Sequence, residues 1–298
     1  MKIRLLFLVS VVLFGITPPI KASDLPFTIE KGYLLVEGTF KKDIKAEFIV
    51  ATGLSTSIAN IGLAIQNKIP LAYTADGPVN GYNDKTITFG SIPAVAVAGQ
   101  TPVSLNMKLS DLADVKRKLG RDVFAVLGMD FFKGKLLRID FARRVISFLD
   151  KPFIADYPGA SKSSGDPNRR VFKIDFYEKK FDGSSEISLP VIDGLTYNKK
   201  PLRTLLDTGI ASAVSFSLAA GKEIGIADLP AAKATKSGYI SIALLDKELE
   251  NVPFVVFGKE MGFDRSWREY GAIIGVGILQ NFILTIDGKA RYVVLEKP

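Results

Sequence analysis

The sequence contains no cysteine and no histidine among its 298 residues. Without cysteine, neither disulfide bonds nor thiolate chemistry can occur, whatever the compartment. Without histidine, the Ser-His-Asp and Cys-His forms of nucleophilic catalysis are excluded, and so are zinc sites that depend on imidazole. Any hydrolytic chemistry in this chain therefore has to use carboxylates, hydroxyls or lysines.

Long apolar runs are also scarce, and the one that stands out lies at the N-terminus. Lys2 and Arg4 precede an apolar stretch over 5–16, and the small residue Ala22 offers a cleavage site after it. This pattern is typical of a secretory signal peptide over 1–22, because the run is shorter than the ~20 residues of a membrane span. An uncleaved N-terminal anchor is the alternative. We expect an exported bacterial protein, periplasmic or secreted, with no integral membrane segment after signal removal.

The charge is positive but shows no concentration of one sign. Lys and Arg number 39 and Asp and Glu 31, which gives a net charge of +8. The basic residues alternate with acids and form no face interleaved with aromatics, so nucleic-acid binding is not expected. The length and the 47% hydrophobic content suit two globular domains of ~100–200 residues each. We expect a monomer.

The chain repeats itself at an offset of 156 residues. At this offset Gly38 coincides with Gly194, and the segment 52–54 (Thr-Gly-Leu) coincides with 208–210 (Thr-Gly-Ile). Ala51 coincides with Asp207. A period this long indicates a duplicated domain rather than a solenoid.

A second block repeats at an offset of 147 residues. The segment 126–128 (Val-Leu-Gly) coincides with 273–275 (Ile-Ile-Gly), and 139–140 (Ile-Asp) coincides with 286–287 (Ile-Asp). Between the copies, residues 151–169 are rich in Pro, Gly and Ser, which is typical of a linker. We predict an N-terminal lobe over 24–150 and a C-terminal lobe over 170–298.

Local patterns in both copies indicate strands. Short β-prone segments are bounded by Gly, Pro and Asn-Asp turns at 33–36, 46–50, 85–89, 94–98, 186–192, 202–206, 239–245, 252–257 and 283–286. Helical segments are few and short: 59–66, 109–119 and 218–224. The pattern predicts an all-β chain of barrel-like lobes.

One tripeptide could carry chemistry: Asp207, Thr208 and Gly209 follow an apolar strand. The strand fixes the direction of the carboxylate, and Gly209 permits a sharp turn after it. The Thr208 hydroxyl can donate a hydrogen bond into a mirrored loop of a partner lobe. By itself the tripeptide is weak evidence, because Asp and Gly are ordinary turn residues.

The context of the tripeptide is more specific. Ile274 and Gly275 end an apolar segment downstream of Asp207, and Leu127 and Gly128 occupy the same place in the first copy. A duplicated Asp-Thr-Gly loop with a hydrophobic-hydrophobic-Gly segment resembles the pepsin and retropepsin superfamily of aspartic proteases. The resemblance covers nearly the whole mature chain. It implies two similar acid-protease-like β-barrel lobes, related by a pseudo-twofold axis and facing each other across a cleft.

The first copy departs from the family pattern, because Ala51 precedes Thr52 and Gly53 where the resemblance requires an aspartate. In the family each lobe supplies one carboxylate, and the two share a proton because two like charges so close cannot both ionise. Asp207 is therefore the one catalytic residue that the resemblance assigns. We expect it to stay ionised near neutral pH. Loss of a general acid–base partner typically costs ~100- to 10,000-fold in rate.

Two functional hypotheses and one structural hypothesis follow. The first is a binding protein that holds extended peptide in the interlobe cleft by strand addition, with hydrolysis impaired. The second is an active aspartic endopeptidase that uses Asp207, either alone and slowly or through a homodimeric dyad. The third is an envelope protein in which the cleft has no role. Ala51 favours binding.

Other segments are given looser interpretations. The family's flap would correspond to 81–84 and to the neighbourhood of Gly238 and Tyr239. We expect Trp267 and Tyr270 to cover the core. The segment 275–280 imitates a dinucleotide fingerprint but lacks its third glycine, and too few residues follow for a nucleotide-binding unit. We expect no cofactor and no metal. The acids Asp130, Asp140 and Asp287 are expected to cap or pair at strand ends.

Overall fold

The computed structural model describes residues 24–75, 86–97, 100–149, 168–175, 177–179, 186–226, 236–244, 247–257 and 270–298. Strands dominate these residues, and the helices among them are short. The predicted signal peptide (1–22), nearly all of the predicted linker and the segment 81–84 lie outside the described residues. The proposed domain boundaries therefore stay predictions.

The first half of the chain contains eleven strands and two helices in its described part. The strands are β1 (Asp24–Pro26), β2 (Thr28–Glu30), β3 (Tyr33–Phe40), β4 (Ile44–Val50), β5 (Ile58–Asn60), β6 (Leu71–Ala75), β7 (Thr86–Val97), β8 (Val103–Ser110), β9 (Ala125–Leu127), β10 (Leu136–Asp140) and β11 (Val145–Leu149). Helices α1 (Ile61–Gln66) and α2 (Ala113–Leu119) follow β5 and β8.

The second half contains the same kinds of element among its described residues. Its strands are β12 (Arg169–Lys173), β13 (Tyr177–Lys179), β14 (Glu186–Ser188), β15 (Val191–Tyr197), β16 (Lys200–Leu206), β17 (Val214–Ser217), β18 (Lys236–Leu244), β19 (Lys247–Phe257), β20 (Ala272–Ile274), β21 (Ile283–Asp287) and β22 (Tyr292–Glu296). Its helices are α3 (Leu218–Glu223) and α4 (Val276–Leu279).

Each half closes a six-stranded barrel with the same strand order. The first runs β3-β4-β9-β5-β8-β7 and returns to β3, with β2 and β6 added outside the ring. The second runs β15-β16-β20-β17-β19-β18 and closes on β15. Closure of the first barrel depends on Gly38, where a Cβ would lie 2.2 Å from the carbonyl oxygen of Ala96 on β7. The prediction of an all-β chain with two similar barrel lobes is confirmed.

A third sheet joins the two barrels. It runs β1-β11-β10-β21-β22-β12, so that three strands come from each half. At its centre β10 and β21 are antiparallel, with Leu136 opposite Asp287 and Asp140 opposite Ile283. Midway between these pairs Arg138 lies opposite Thr285, and the two are 147 residues apart, which is the offset of the internal repeat. Equivalent residues therefore meet at one point, and the pseudo-twofold axis passes through it.

Buried charges reinforce this junction. Glu296, on the second half's β22, is 7% exposed. Its carboxylate accepts hydrogen bonds from Arg138 on β10 and, at 2.8 Å, from Nε of Arg169 on β12. A carboxylate held by two guanidinium groups satisfies its hydrogen-bonding needs inside the sheet, because arginine forks match carboxylate geometry.

The strand and helix predictions need correction at several points. The helix predicted over 59–66 begins at Ile61, because 58–60 forms β5, and the strands predicted at 85–89 and 94–98 are parts of the one strand β7. The helix predicted from 109 begins at Ala113, because 103–110 alternates apolar and polar residues and forms β8. The single strand predicted over 186–192 is interrupted at Leu189 and Pro190, since proline cannot donate to a ladder. The four-residue helix α4 was not predicted at all.

Candidate functional site at the junction of the two lobes

Two equivalent loops leave the barrels at the junction of the lobes. Ala51 follows β4 and Asp207 follows β16. Each residue is anchored in the same way, because the N–H of Ala51 donates to Leu127 and that of Asp207 donates to Ile274, both at 2.9 Å. The parallel neighbours β9 and β20 thus fix the height of the two loops. Four positions predicted to belong to the site therefore lie together at the junction: Ala51, Leu127, Asp207 and Ile274.

The threonines of the two loops exchange hydrogen bonds. The Thr52 hydroxyl donates to the carbonyl of Leu206 at 2.8 Å and accepts the N–H of Thr208 at 3.2 Å. The Thr208 hydroxyl donates to the carbonyl of Val50 at 2.7 Å and accepts the N–H of Thr52 at 3.2 Å. Both side chains are fully buried. The arrangement locks the loops together around the pseudo-twofold axis, as the sequence led us to expect of Thr208.

Gly128 and Gly275 support the loops from behind. A Cβ on Gly128 would lie 2.7 Å from the carbonyl oxygen of Leu54. A Cβ on Gly275 would lie 2.2 Å from the oxygen of Ser212 and 2.4 Å from that of Ile210. Only glycine permits such close packing against backbone atoms. The predicted supporting glycines therefore have a steric role at this site.

Ala51 and Asp207 occupy equivalent positions in space. A Cβ built on Gly209 would lie 2.6 Å from the Cβ of Ala51, and one built on Gly53 would lie 2.7 Å from the Cβ of Asp207. The two distances differ by only a tenth of an ångström. Ala51 therefore places its methyl group where the first carbon of a second aspartate side chain would lie. The two positions face each other as the internal repeat predicts.

Asp207 receives hydrogen bonds from both loops. Its Oδ1 accepts the N–H of Gly209 at 2.7 Å and the N–H of Gly53, from the other lobe, at 3.1 Å. By symmetry the N–H of Gly53 would serve a carboxylate at position 51, as the N–H of Gly209 serves Asp207. With Ala51 present, Asp207 binds both donors. This sharing could not be inferred from the sequence.

Burial raises the pKa of Asp207 above its ordinary value, and the hydrogen bonds from Gly209 and Gly53 oppose that shift. The side chain is 6% exposed, so water solvates its charge poorly. No charged side chain in the described part of the chain contributes to the shift. Asp207 therefore holds a proton to a higher pH than an exposed aspartate does. The sequence led us to expect an ordinary ionised aspartate, and burial of the side chain modifies that expectation.

The two lobes differ behind their loops. In the first lobe, Oδ1 of Asp130 accepts the N–H of Ser57 at 3.0 Å and its hydroxyl at 2.6 Å, and the same hydroxyl accepts the N–H of Gly128 at 2.9 Å. The equivalent positions in the second lobe are Ala213 and Gly277, which pack directly against each other. The first lobe thus supports its loop with a buried polar chain, meaning the hydrogen-bonded series Asp130, Ser57 and Gly128. The second lobe supports its loop with apolar contact between Ala213 and Gly277. Sequence reasoning missed the role of Ser57.

The other residues singled out in the sequence are described by their burial and hydrogen bonds. Tyr239 lies on β18 with 74% of its surface exposed, and Trp267 lies outside the described residues. Tyr270 is buried at 5% exposure and belongs to the hydrophobic core. Asp140 accepts the N–H of Arg143 at 2.9 Å, and Asp287 accepts that of Ala290 at 2.7 Å. These two acids cap the equivalent turns that follow β10 and β21.

Two kinds of feature are absent from the described residues. Nowhere in them do three acidic side chains gather in a way that could hold a metal ion. None of their helices has the length and apolar character to cross a membrane.

No protein-family model matches the sequence, and no curated protein matches it either. Function therefore has to be inferred from the residues at the junction.

Proposed function

We propose that this chain is an exported aspartic-protease-like protein that binds extended peptide in the groove between its lobes and hydrolyses it poorly. One observation carries the proposal: Ala51 and Asp207 lie at equivalent positions on two interlocked loops, and only one of them bears a carboxylate. Peptide hydrolysis by paired carboxylates needs one ionised and one protonated group at the same moment. A single carboxylate cannot fill both roles.

The contacts that hold the two loops in place favour a groove between the lobes that can still bind peptide. The reciprocal threonine bonds, the supporting glycines and the shared sheet all persist around Ala51. An extended peptide entering the groove would add main-chain hydrogen bonds in the manner of a strand. Export is part of the proposal and depends on the pattern of residues 1–22 alone.

The alternative endopeptidase with a homodimeric dyad has a structural obstacle. Two copies of Asp207 could meet only if the second lobe exchanged its partner. That exchange would break the buried bonds of Thr52 and Thr208 and separate β10 from β21. We therefore propose a monomer as the working form, and analytical ultracentrifugation with and without peptide would reveal a dimer.

Restoring the missing acid tests the proposal directly. We expect Ala51→Asp to raise peptide hydrolysis at acid pH by ~100- to 10,000-fold, because the new carboxylate would complete the dyad. Hydrolysis would be measured with fluorogenic peptides on the purified mature chain. Pepstatin should inhibit the variant, since it resembles the tetrahedral intermediate of this reaction.

Two controls separate the outcomes. Asp207→Asn in the Ala51→Asp background should abolish the gained activity. If the natural protein cleaves peptides efficiently and Asp207→Asn removes that activity, the binding proposal is overturned in favour of an active enzyme. A folded Ala51→Asp variant with no gain would show that the two positions are not arranged as a dyad.

A further inference from the structure

The replacement of an acid by Ala51 leaves room at a defined point beside Asp207. The carboxyl carbon of Asp207 lies 2.4 Å from the Cβ position of Gly53. By the pseudo-twofold symmetry, the carboxyl group of an acid at position 51 would lie at the same distance from the Cβ position of Gly209. Neither glycine has a side chain to fill that space, and Ala51 ends at its methyl group. We call this space the vacant carboxyl position.

The groups around the vacant carboxyl position suit one chemical class of ligand. Oδ1 of Asp207 accepts two backbone N–H groups and lies 3.1 Å from the Cβ position of Gly209, so this oxygen borders the vacant carboxyl position. The Asp207 carboxylate can accept a further hydrogen bond there from a ligand. A protonated carboxyl group offers an O–H for this purpose, and one of its oxygens can take over the N–H of Gly53 that Asp207 now binds.

We propose that the vacant carboxyl position binds a carboxyl group of the ligand, which shares one proton with Asp207. The inference rests on the proposed peptide-binding function and names the part of the peptide that enters: its C-terminal carboxyl group. A free small carboxylic acid has the same chemistry. Two carboxyl groups that share a proton carry one negative charge between them, which the N–H groups of Gly53 and Gly209 are placed to neutralise in part.

The electrostatic surroundings favour proton sharing over an ionic pair. The described residues that hydrogen-bond to Asp207 are Gly53, Gly209, Ile210 and Ile274. None of them titrates, and no cationic side chain in the described part of the chain acts on Asp207. A fully ionised ligand carboxylate would meet an ionised Asp207 with nothing to compensate the second charge. Binding should therefore weaken as the pH rises.

The test compares two peptides that differ only at their C-terminus. An N-acetylated pentapeptide with a free carboxyl group and its C-terminal amide would be titrated by calorimetry at pH 4.5 and pH 7.5. We expect the acid to bind about tenfold more tightly than the amide at pH 4.5, since one extra charge-assisted hydrogen bond is worth about that factor. The preference should shrink at pH 7.5. Equal binding of acid and amide at pH 4.5 would overturn the inference.

Variants at two positions make the result specific. Ala51→Asp and Ala51→Leu both fill the vacant carboxyl position, one with a carboxylate and one without, and both should lose the preference for the acid. Asp207→Asn should reduce the preference for the acid at pH 4.5, because its neutral amide cannot share a proton as a carboxylate does. Circular dichroism would confirm that each variant is folded. A preference that persists in both folded Ala51 variants would place the carboxyl group elsewhere and overturn the inference.

A separate measurement with acetate distinguishes this inference from the proposed function. Binding of ¹³C-carboxyl acetate would be followed by NMR line broadening in the natural protein and in Ala51→Leu. If acetate binds in an Ala51-dependent manner and neither peptide does, the carboxyl position stands and the peptide-binding proposal fails. If both peptides bind equally and acetate does not bind, the peptide-binding proposal stands and the inference fails. Much tighter binding of the peptide acid than of acetate would identify the peptide C-terminus as the ligand.

Discussion

The two lobes match in backbone geometry and differ in chemistry. Both present an interlocked Thr-Gly loop, both rest on a close-packed glycine, and the Cβ atoms of Ala51 and Asp207 occupy equivalent positions. Yet one lobe carries a carboxylate at its loop and the other carries a methyl group. The comparison teaches that the backbone and the threonine hydroxyls hold the loops in place, and that the carboxylates are not needed for this.

The difference also extends behind the loops. The first lobe has a buried polar chain through Ser57 and Asp130, and the second lobe has Ala213 and Gly277 in the same place. A polar chain in the core is stable only when its members are hydrogen-bonded. Each lobe has thus reached the same loop position with a different set of interactions.

The largest expected effect comes from the supporting glycines. Gly275→Ala should cost ~3 kcal/mol or more of stability, because its Cβ would lie within 2.4 Å of two backbone oxygens that cannot move independently. Gly128→Ala, with one backbone oxygen at 2.7 Å, should cost ~1–3 kcal/mol. Urea unfolding followed by circular dichroism measures both.

Gly288 provides the matched control for these substitutions, because a Cβ there would meet nothing within 4 Å. Gly288→Ala should change stability by less than ~0.5 kcal/mol. If Gly128→Ala proved more damaging than Gly275→Ala, the second lobe would not be the more tightly packed of the two.

The threonine pair should give the next largest effect. Thr52→Val and Thr208→Val each leave one buried N–H and one buried carbonyl without a partner, and each should cost ~2–4 kcal/mol. If the lobes contribute equally to docking, the two values should agree within ~0.5 kcal/mol. The double variant should cost less than their sum, because losing either threonine already loosens the contact that both need.

Thr204 serves as the control for this pair. Its fully buried hydroxyl donates within one lobe, to Leu202 at 2.8 Å, so Thr204→Val removes a buried hydrogen bond without touching the junction. It should show no coupling to Thr52→Val. Strict additivity of the Thr52 and Thr208 variants would mean that the loops do not act as one unit.

The smallest effect concerns the charge of Asp207. Its pKa is raised by burial, so between about pH 4 and its folded value the folded protein keeps a proton that the unfolded chain has lost. Stability due to this group therefore falls as the pH rises through that window. Asp207→Asn cannot ionise and should melt at a higher temperature than the natural protein at pH 7, with the difference shrinking as the pH falls towards 4.

Thermal melts from pH 3.5 to pH 8 would measure this difference. Asp43→Asn, at an exposed turn position, controls for the removal of one negative charge from a basic protein. An Asp207→Asn variant less stable than the natural protein at pH 7 would indicate that the hydrogen bonds from Gly53 and Gly209 outweigh the cost of burial.

Much of the fold could be predicted because the repeat is visible in the sequence. The offsets of 156 and 147 residues reappear in the reciprocal threonine bonds and in the pair Arg138–Thr285. Strand β8 was missed although its residues alternate apolar and polar over 103–110, so a signal was present. Helix α4 has four residues with a glycine among them, too few for a helical period to show.

The sequence predicted which residues form the site, but it did not predict which of them contact each other. The sequence indicated that Ala51 faces Asp207, and the placement of the predicted loop residues at one junction agrees with it. That the N–H of Gly53 donates to Asp207 depends on the close approach of two loops 154 residues apart. The contact between Ser57 and Asp130 likewise joins residues 73 positions apart, and no local pattern marks it.

The pairing of Arg138 with Thr285 has a consequence for how the two halves could diverge. In a dimer of two identical lobes, the residue at this point would meet its own copy, and an arginine would be forced against an arginine of like charge. One continuous chain removes that restriction, because the two sides of the axis are encoded separately. Here one side became a cation that reaches the carboxylate of Glu296, and the other became a small hydroxyl residue that leaves it room.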